Sequence, residues 1–163
     1  IILPIPSYAA MQEQLRKMIQ AFRTKAVGWD LIVNQNMFIE KLMPSMIMRK
    51  LSEAEVNNYR APFVNPASRK PIWRWPNELP IGGQPADVAG IVTDYGKWLQ
   101  NTSVPKLLIY AKPGALITEE MKIWCEQNLK NLKTSYVGEG LHFIQEDHPR
   151  EIGAAIANWY QTL

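Results

Sequence analysis

The sequence predicts an α/β fold, and three observations carry that prediction. Behind a proline-dense stretch, helix-like and strand-like segments alternate, the order that builds a parallel sheet with helices on its faces. Lys106-Leu107-Leu108-Ile109-Tyr110-Ala111 is a short continuous apolar run, as expected of a strand buried on both sides. Thr134-Ser135-Tyr136-Val137 reads as a second strand, one helix further on.

Ile1-Ile2-Leu3-Pro4-Ile5-Pro6 is an apolar opening without an initiator methionine, and its two prolines stop a strand; it reads as a cut end. Residues 11–22 set Met11, Leu15, Met18, Ile19 and Phe22 on one helical face, with Glu13, Arg16, Lys17 and Gln20 mostly on the other. A second helical stretch runs from about Trp29 to Met43, and Asn34 and Asn36 mark a break. Ser52-Glu53-Ala54-Glu55 matches a capping box, in which the serine oxygen and the second glutamate satisfy free amides at a helix start. Six of the twelve prolines then fall between Pro62 and Pro85, which predicts a connecting segment of fixed shape. Beyond it Val88, Ile91, Val92, Tyr95, Trp98 and Leu99 form a helical stripe, Thr118 to Leu129 is helical, and Pro149 to Leu163 closes the chain with Ile152, Ile156, Trp159 and Leu163 on one face. Pro149 suits a first helical turn, and Glu146 and Asp147 sit where carboxylates favour a helix N-terminus.

Two parallel strands cannot by themselves satisfy their outer edges or make a sheet core. The chain therefore reads as the C-terminal part of a larger α/β protein, with further strands upstream of Ile1 or on another polypeptide.

Composition narrows the function. With 163 residues, 47% hydrophobic and 20% charged, the chain has the make-up of one ordinary globular domain. No run approaches the roughly 18 to 20 apolar residues that span a bilayer, and no signal-peptide pattern is present; no membrane partner is expected, and the cytoplasm is the default compartment. The net charge of +3 comes from basic residues set singly or in pairs, such as Arg16-Lys17, Arg49-Lys50 and Arg69-Lys70. They lack the clustering with aromatics that nucleic-acid binding needs and read as solvated faces. One cysteine and two histidines exclude a disulfide framework and the usual zinc sets, so no metal site is expected.

No nucleophile is visible. No serine lies in a G-x-S-x-G elbow, and neither a P-loop nor G-x-G-x-x-G occurs; Gly138-Glu139-Gly140 alone is a weak signal. Cys125 shares a helix face with Met121 and Leu129 and reads as a packed thiol. His148, before a proline at a helix start, reads as an exposed capping residue. His142 is different: it lies on a short glycine-flexed segment between the last strand and the last helix, where α/β folds carry their chemistry and an imidazole can accept and return a proton.

The order strand, Gly-x-Gly-Leu-His-Phe-Ile-Gln-Glu-Asp-x-Pro, terminal helix resembles the C-terminal end of α/β-hydrolases, and in its wording the haloalkane dehalogenases. Gln20-Ala21-Phe22-Arg23, Leu51-Ser52-Glu53-Ala54-Glu55, Tyr59-Arg60-Ala61-Pro62-Phe63, Trp75-Pro76-Asn77-Glu78-Leu79-Pro80-Ile81, Pro105-Lys106-Leu107-Leu108 and Pro113-Gly114-Ala115-Leu116 resemble that family's segments in the same order. The resemblance covers the whole chain. It implies the C-terminal portion of an α/β-hydrolase fold: a helical cap with its proline-rich connection over residues 1–80, and the last two core strands with their helices over 81–163. The N-terminal strands would lie outside this chain.

It also implies the chemistry. An aspartate attacks the halogen-bearing carbon to give an alkyl-enzyme ester, and a histidine, here His142, activates the water that hydrolyses it. The nucleophile and two halide-binding side chains would come from the missing N-terminal half. The acid that orients the histidine comes after one of two strands in the family; Lys112-Pro113-Gly114 offers no carboxylate at the second, so a glutamate just before Ile1 is expected. The resemblance places the walls of a dry slot at Phe38, Leu42, Met46, Trp75, Pro76, Leu79, Leu116 and Phe143, although aromatic and methionine stripes also serve as ordinary core. It implies a small haloalkane, water and halide ion as the molecules handled, and no cofactor. Met43-Pro44-Ser45-Met46-Ile47-Met48-Arg49-Lys50-Leu51 also resembles the sea-pansy coelenterazine luciferase, which keeps the same framework and gives an alternative oxygenase function; a further alternative is an inactive fragment or binding module that needs its N-terminal partner.

Overall fold

The computed structural model describes residues 2–163; Ile1, where the expected cut end begins, lies outside them. The chain divides into two compact units. One runs to Pro44 and resumes at Leu51–Gly96, and the other joins Ser45–Lys50 to Lys97–Leu163.

The first unit is helical. A 3-10 turn at Tyr8–Ala10 precedes α1 (Glu13–Arg23), whose Ile19 and Phe22 are buried while Glu13 and Lys17 pair on its outer face. This is the expected amphipathic helix. α2 (Lys25–Trp29) packs its Gly28 onto α1 so closely that a Cβ there would lie 1.9 Å from the Phe22 carbonyl oxygen; only glycine fits. The expected helix over 29–43 is broken at its asparagines. Two π-helical turns, Asp30–Asn34 and Phe38–Leu42, and the short α3 (Met43–Ser45) flank Asn36, which is buried and takes a left-handed φ of 54°. Asparagine tolerates that conformation better than most residues, and the Asp30 carboxylate, accepting from Asn34 and Gln35, draws the side chains before the break into local bonds.

The capping box forms as expected at α4 (Glu53–Arg60): Glu55 N–H donates to Ser52 Oγ and Ser52 N–H to Glu55 Oε2. The proline-dense stretch departs from expectation. It is mostly helical, with 3-10 turns at Ala61–Phe63 and Pro66–Arg69 leading into α5 (Lys70–Asn77). Pro66 and Pro71 lie in first turns, where an amide would be unsatisfied anyway, and Pro76 near the end of α5 removes a single bond and is itself buried. Nor are the basic residues simply solvated. Arg69 donates to the carbonyls of Val33, Asn34, Phe63 and Val64, Arg60 joins Glu40 to Glu53, and Arg23 reaches Leu79 O at 2.6 Å. These forks cross-link segments distant in sequence through their carbonyls and carboxylates. Ile5 forms a parallel bridge with Ile81.

α6 (Ala86–Asn101) carries the chain into the second unit. Its stripe is only half covered: Val92 is buried, but Ile91 and Trp98 are 64% and 56% exposed. The second unit holds the expected parallel pair, β1 (Lys106–Pro113) and β2 (Leu132–Gly140), linked through α7 (Glu119–Asn128). Both strands run longer than their apolar runs. Ala111, Cys125, Leu129 and Val137 form the core here, and Cys125 is fully enclosed, as expected of a packed thiol. Lys106 Nζ donates to the carbonyls of Thr102, Val104 and Lys130, closing the start of the sheet. The short α8 (Ile144–Asp147) and α9 (Pro149–Tyr160) complete the unit, with Pro149 in the first turn of α9. Among the described residues, no helix is long and apolar enough to cross a membrane.

Candidate active site

The site is built at the end of β2. Tyr110 stands opposite Tyr136, but two residues later on β1 Lys112 stands opposite Glu139, so β2 carries one extra residue between them. Such a bulge bends the strand and re-aims the residues beyond it. Gly138 sits in it with φ 133°, a conformation side chains disfavour. The Gly-x-Gly of the sequence is therefore a bulge and then a close approach: a Cβ on Gly140 would meet Ala111 Cβ at 2.8 Å and Ile144 Cγ2 at 2.9 Å.

His142 lies two residues beyond the strand. Its ring is half-buried and meets Phe143 edge-to-face, centroids 4.8 Å apart. Burial holds its pKa below the ordinary histidine range, because the enclosed site disfavours the charged ring. The neutral imidazole, the form that accepts a proton, is thus favoured at neutral pH.

Neighbouring segments fix this loop from both ends. His142 N–H and Phe143 N–H both donate to Met46 O, each at 3.2 Å. At the far end the Asp147 carboxylate accepts from Met48 N–H at 3.1 Å and Arg49 N–H at 2.9 Å, and the Arg49 guanidinium bonds Glu146 O and Oε2, both at 2.6 Å. Expected to serve the last helix, Glu146 and Asp147 have their side chains engaged elsewhere: the irregular 45–50 segment has amides needing acceptors, which the Asp147 carboxylate supplies, and the Glu146 carboxylate pairs with Arg49. His148 stands at the N-cap of α9 as expected, but its side chain makes no cap bond; its half-buried ring lies over Gly138 and Nε2 bonds Glu139 O at 2.7 Å. A glycine beneath makes room for the ring.

Of the expected wall residues, the structure brings Phe38 and Trp75 together with Pro71 and Ile72 around a cleft of about 300 Å³. A neighbouring cleft is lined by Ala67, Lys70, Pro71, Trp73 and Arg74. Both clefts lie wholly within the first unit. Trp75 is 54% exposed, Pro76 is fully buried, and Leu42 and Leu79 are half-buried. In the second unit Met46 and Phe143 are half-buried beside the His142 backbone, whereas Leu116 is 44% exposed. Met46 meets the loop through its carbonyl. The roles of Asp147 and His148 differ from their sequence reading because their partners are backbone groups, which no residue pattern marks. Among the described residues no group of three or more His, Cys, Asp or Glu is placed to hold a metal.

No family model matches the chain. It is, however, 46% identical over its whole length to a haloalkane dehalogenase of Sphingobium indicum, covering 54% of that protein, and 45% identical over 90% of its length to one from Mesorhizobium japonicum, covering 47% of it. Among solved structures, a haloalkane dehalogenase from Bradyrhizobium elkani superposes with a TM-score of 0.94 at 38% identity, over 97% of this chain and 55% of that one. Another, from Agrobacterium tumefaciens, gives 0.88 at 28% identity, over 99% and 55%. The chain spans about half the length of the relatives it matches and corresponds to the C-terminal part of their α/β-hydrolase fold.

Proposed function

We propose that this chain supplies the lid and the histidine-bearing strand end of a haloalkane dehalogenase, with His142 as the base of its hydrolytic step. The observation that carries the reading is the half-buried, backbone-tethered His142 at the end of the last strand, in a chain similar throughout to proteins of that name. In the reaction a carboxylate oxygen from the other half of the fold displaces halide from carbon, forming an ester. His142 takes a proton from water as that water attacks the ester carbonyl; the acyl–oxygen bond breaks, the alcohol leaves and the carboxylate is regenerated. One halide and one proton appear per turnover. Residues 1–80 act as the lid, and Phe38, Leu42, Met46, Trp75, Pro76, Leu79, Leu116 and Phe143 are the apolar residues that the likeness to that family offers for keeping bulk water from the ester. The nucleophile, the halide-binding groups and a glutamate orienting His142 belong to the remainder of the protein. No cofactor takes part.

The test uses the full-length protein and a short bromoalkane. Stoichiometric release of bromide, alcohol and acid supports the reading. Light emission with coelenterazine and no bromide release contradicts it and favours the oxygenase alternative.

A further inference from the structure

We infer that Asp147 is a positioning residue for the proposed hydrolytic step, holding His142 through the 45–50 segment; the inference rests on the dehalogenase reading above. Asp147 has no direct contact to make with a substrate for this purpose. Its Oδ1 accepts both the Met48 and Arg49 amides and its Oδ2 shares the Met48 amide, and that fixes a stretch whose Met46 carbonyl in turn accepts the His142 and Phe143 amides. The connection runs across two segments about a hundred residues apart in sequence, and each end of the 142–147 loop is gripped by the same short piece of chain. Ile47, between the two grips, is buried and anchors the piece from within.

The chemistry of the grip favours a carboxylate. The 45–50 segment is irregular apart from its first residue, so its amides have no ladder to join, and a carboxylate offers acceptors on both oxygens without any donor. An asparagine of the same shape keeps the oxygen that accepts both amides but turns an NH2 group toward the Met48 N–H that Oδ2 shares, and pushes that amide away. Arg49 is drawn in by the same arrangement, since its side chain closes on Glu146, the residue before Asp147.

A base works only within hydrogen-bond reach of the water it deprotonates, and a displacement of about 1 Å costs on the order of a hundredfold in rate. The halide-forming displacement needs no base. Loosening the grip therefore slows ester hydrolysis selectively and leaves ester formation in place.

The experiment compares full-length wild type with Asp147→Asn and Asp147→Glu, measuring halide and alcohol separately in the first turnover and the covalent adduct by intact mass. For Asp147→Asn the expected result is a halide burst near one per folded protein, alcohol release slowed by about tenfold or more, accumulation of the alkyl adduct, and kcat lowered together with KM. Asp147→Glu, which keeps two acceptors, recovers part of the rate. A loss of burst amplitude in parallel with activity in both variants overturns the inference, because it shows a stability role alone, and so does unchanged ester hydrolysis. If Asp147→Asn does not fold, Asp147→Glu decides by the same ratio of alcohol to halide rate: a selective fall in alcohol release supports the inference, and an unchanged ratio overturns it. Wild type that releases no halide overturns the dehalogenase reading itself and this inference with it; with a wild type that turns over normally, the variants report on Asp147 alone.

Discussion

The imidazole of His148 occupies the place where Gly138 has no side chain: a Cβ built on Gly138 would stand 2.4 Å from His148 Cε1 and 2.7 Å from Nε2. The bulge in β2, the positive φ of Gly138 and the His148–Glu139 bond form one device that closes the stem of the His142 loop. Gly138→Ala strains the backbone and expels the ring at once. Expected is a loss of about 2 kcal/mol or more in denaturant unfolding, with much of it recovered when His148→Ala is added, because the smaller side chain removes the clash. A loss under about 0.5 kcal/mol would show that the ring is not seated there.

Arg69 ties four carbonyls from two stretches of the first unit. Arg69→Met keeps the length of the side chain and removes every donor. It is expected to destabilise by about 2 kcal/mol, the scale of hydrogen bonds to a charged group, while Lys70→Met, on an exposed neighbour, stays within about 0.5 kcal/mol. Thermal melting of the pair of variants checks the contrast.

The burial of His142 ties stability to pH. Burial lowers its pKa in the folded protein, so on acidification the unfolded chain takes up the proton first. Its contribution to stability is present above the ordinary histidine range of about 6.5 and is lost as pH falls from there through the depressed folded value. NMR titration of the ring should give a midpoint below that range, and His142→Phe should flatten this part of the stability profile. A midpoint raised above the range contradicts the burial.

Cys125 is fully enclosed among the residues of α7 and the sheet, and burial pushes its thiol pKa up. It should therefore resist a thiol reagent in the folded protein at mildly alkaline pH and react fully once unfolded. Rapid labelling under native conditions would place it outside the core.

Much of this architecture is legible in the sequence where one element carries its own signal. The capping box at Ser52 and Glu55, the apolar run of β1 and the amphipathic α1 depend on spacing within a few residues, and each forms as expected. Features decided by distant backbone escape. The prolines at 66, 71 and 76 suggest a rigid connector, but their placement in first and last turns lets helix persist around them. Asp147 looks like a helix-start carboxylate until the 45–50 segment arrives to use it, and Arg69 looks like surface charge until the carbonyls of residues 33, 34, 63 and 64 converge on it. His142 stands out for its place after the last strand, whereas the length of β2 and the bulge that aims its end come from pairing with β1.

The most direct test of the role assigned to His142 is the intact mass of the full-length protein carrying His142→Phe after incubation with a short bromoalkane. The expected result is a protein heavier by one alkyl group, formed with release of one bromide per molecule and persisting for hours, while wild type shows no such adduct in steady state. A His142→Phe protein that turns over repeatedly and carries no adduct would contradict the assignment.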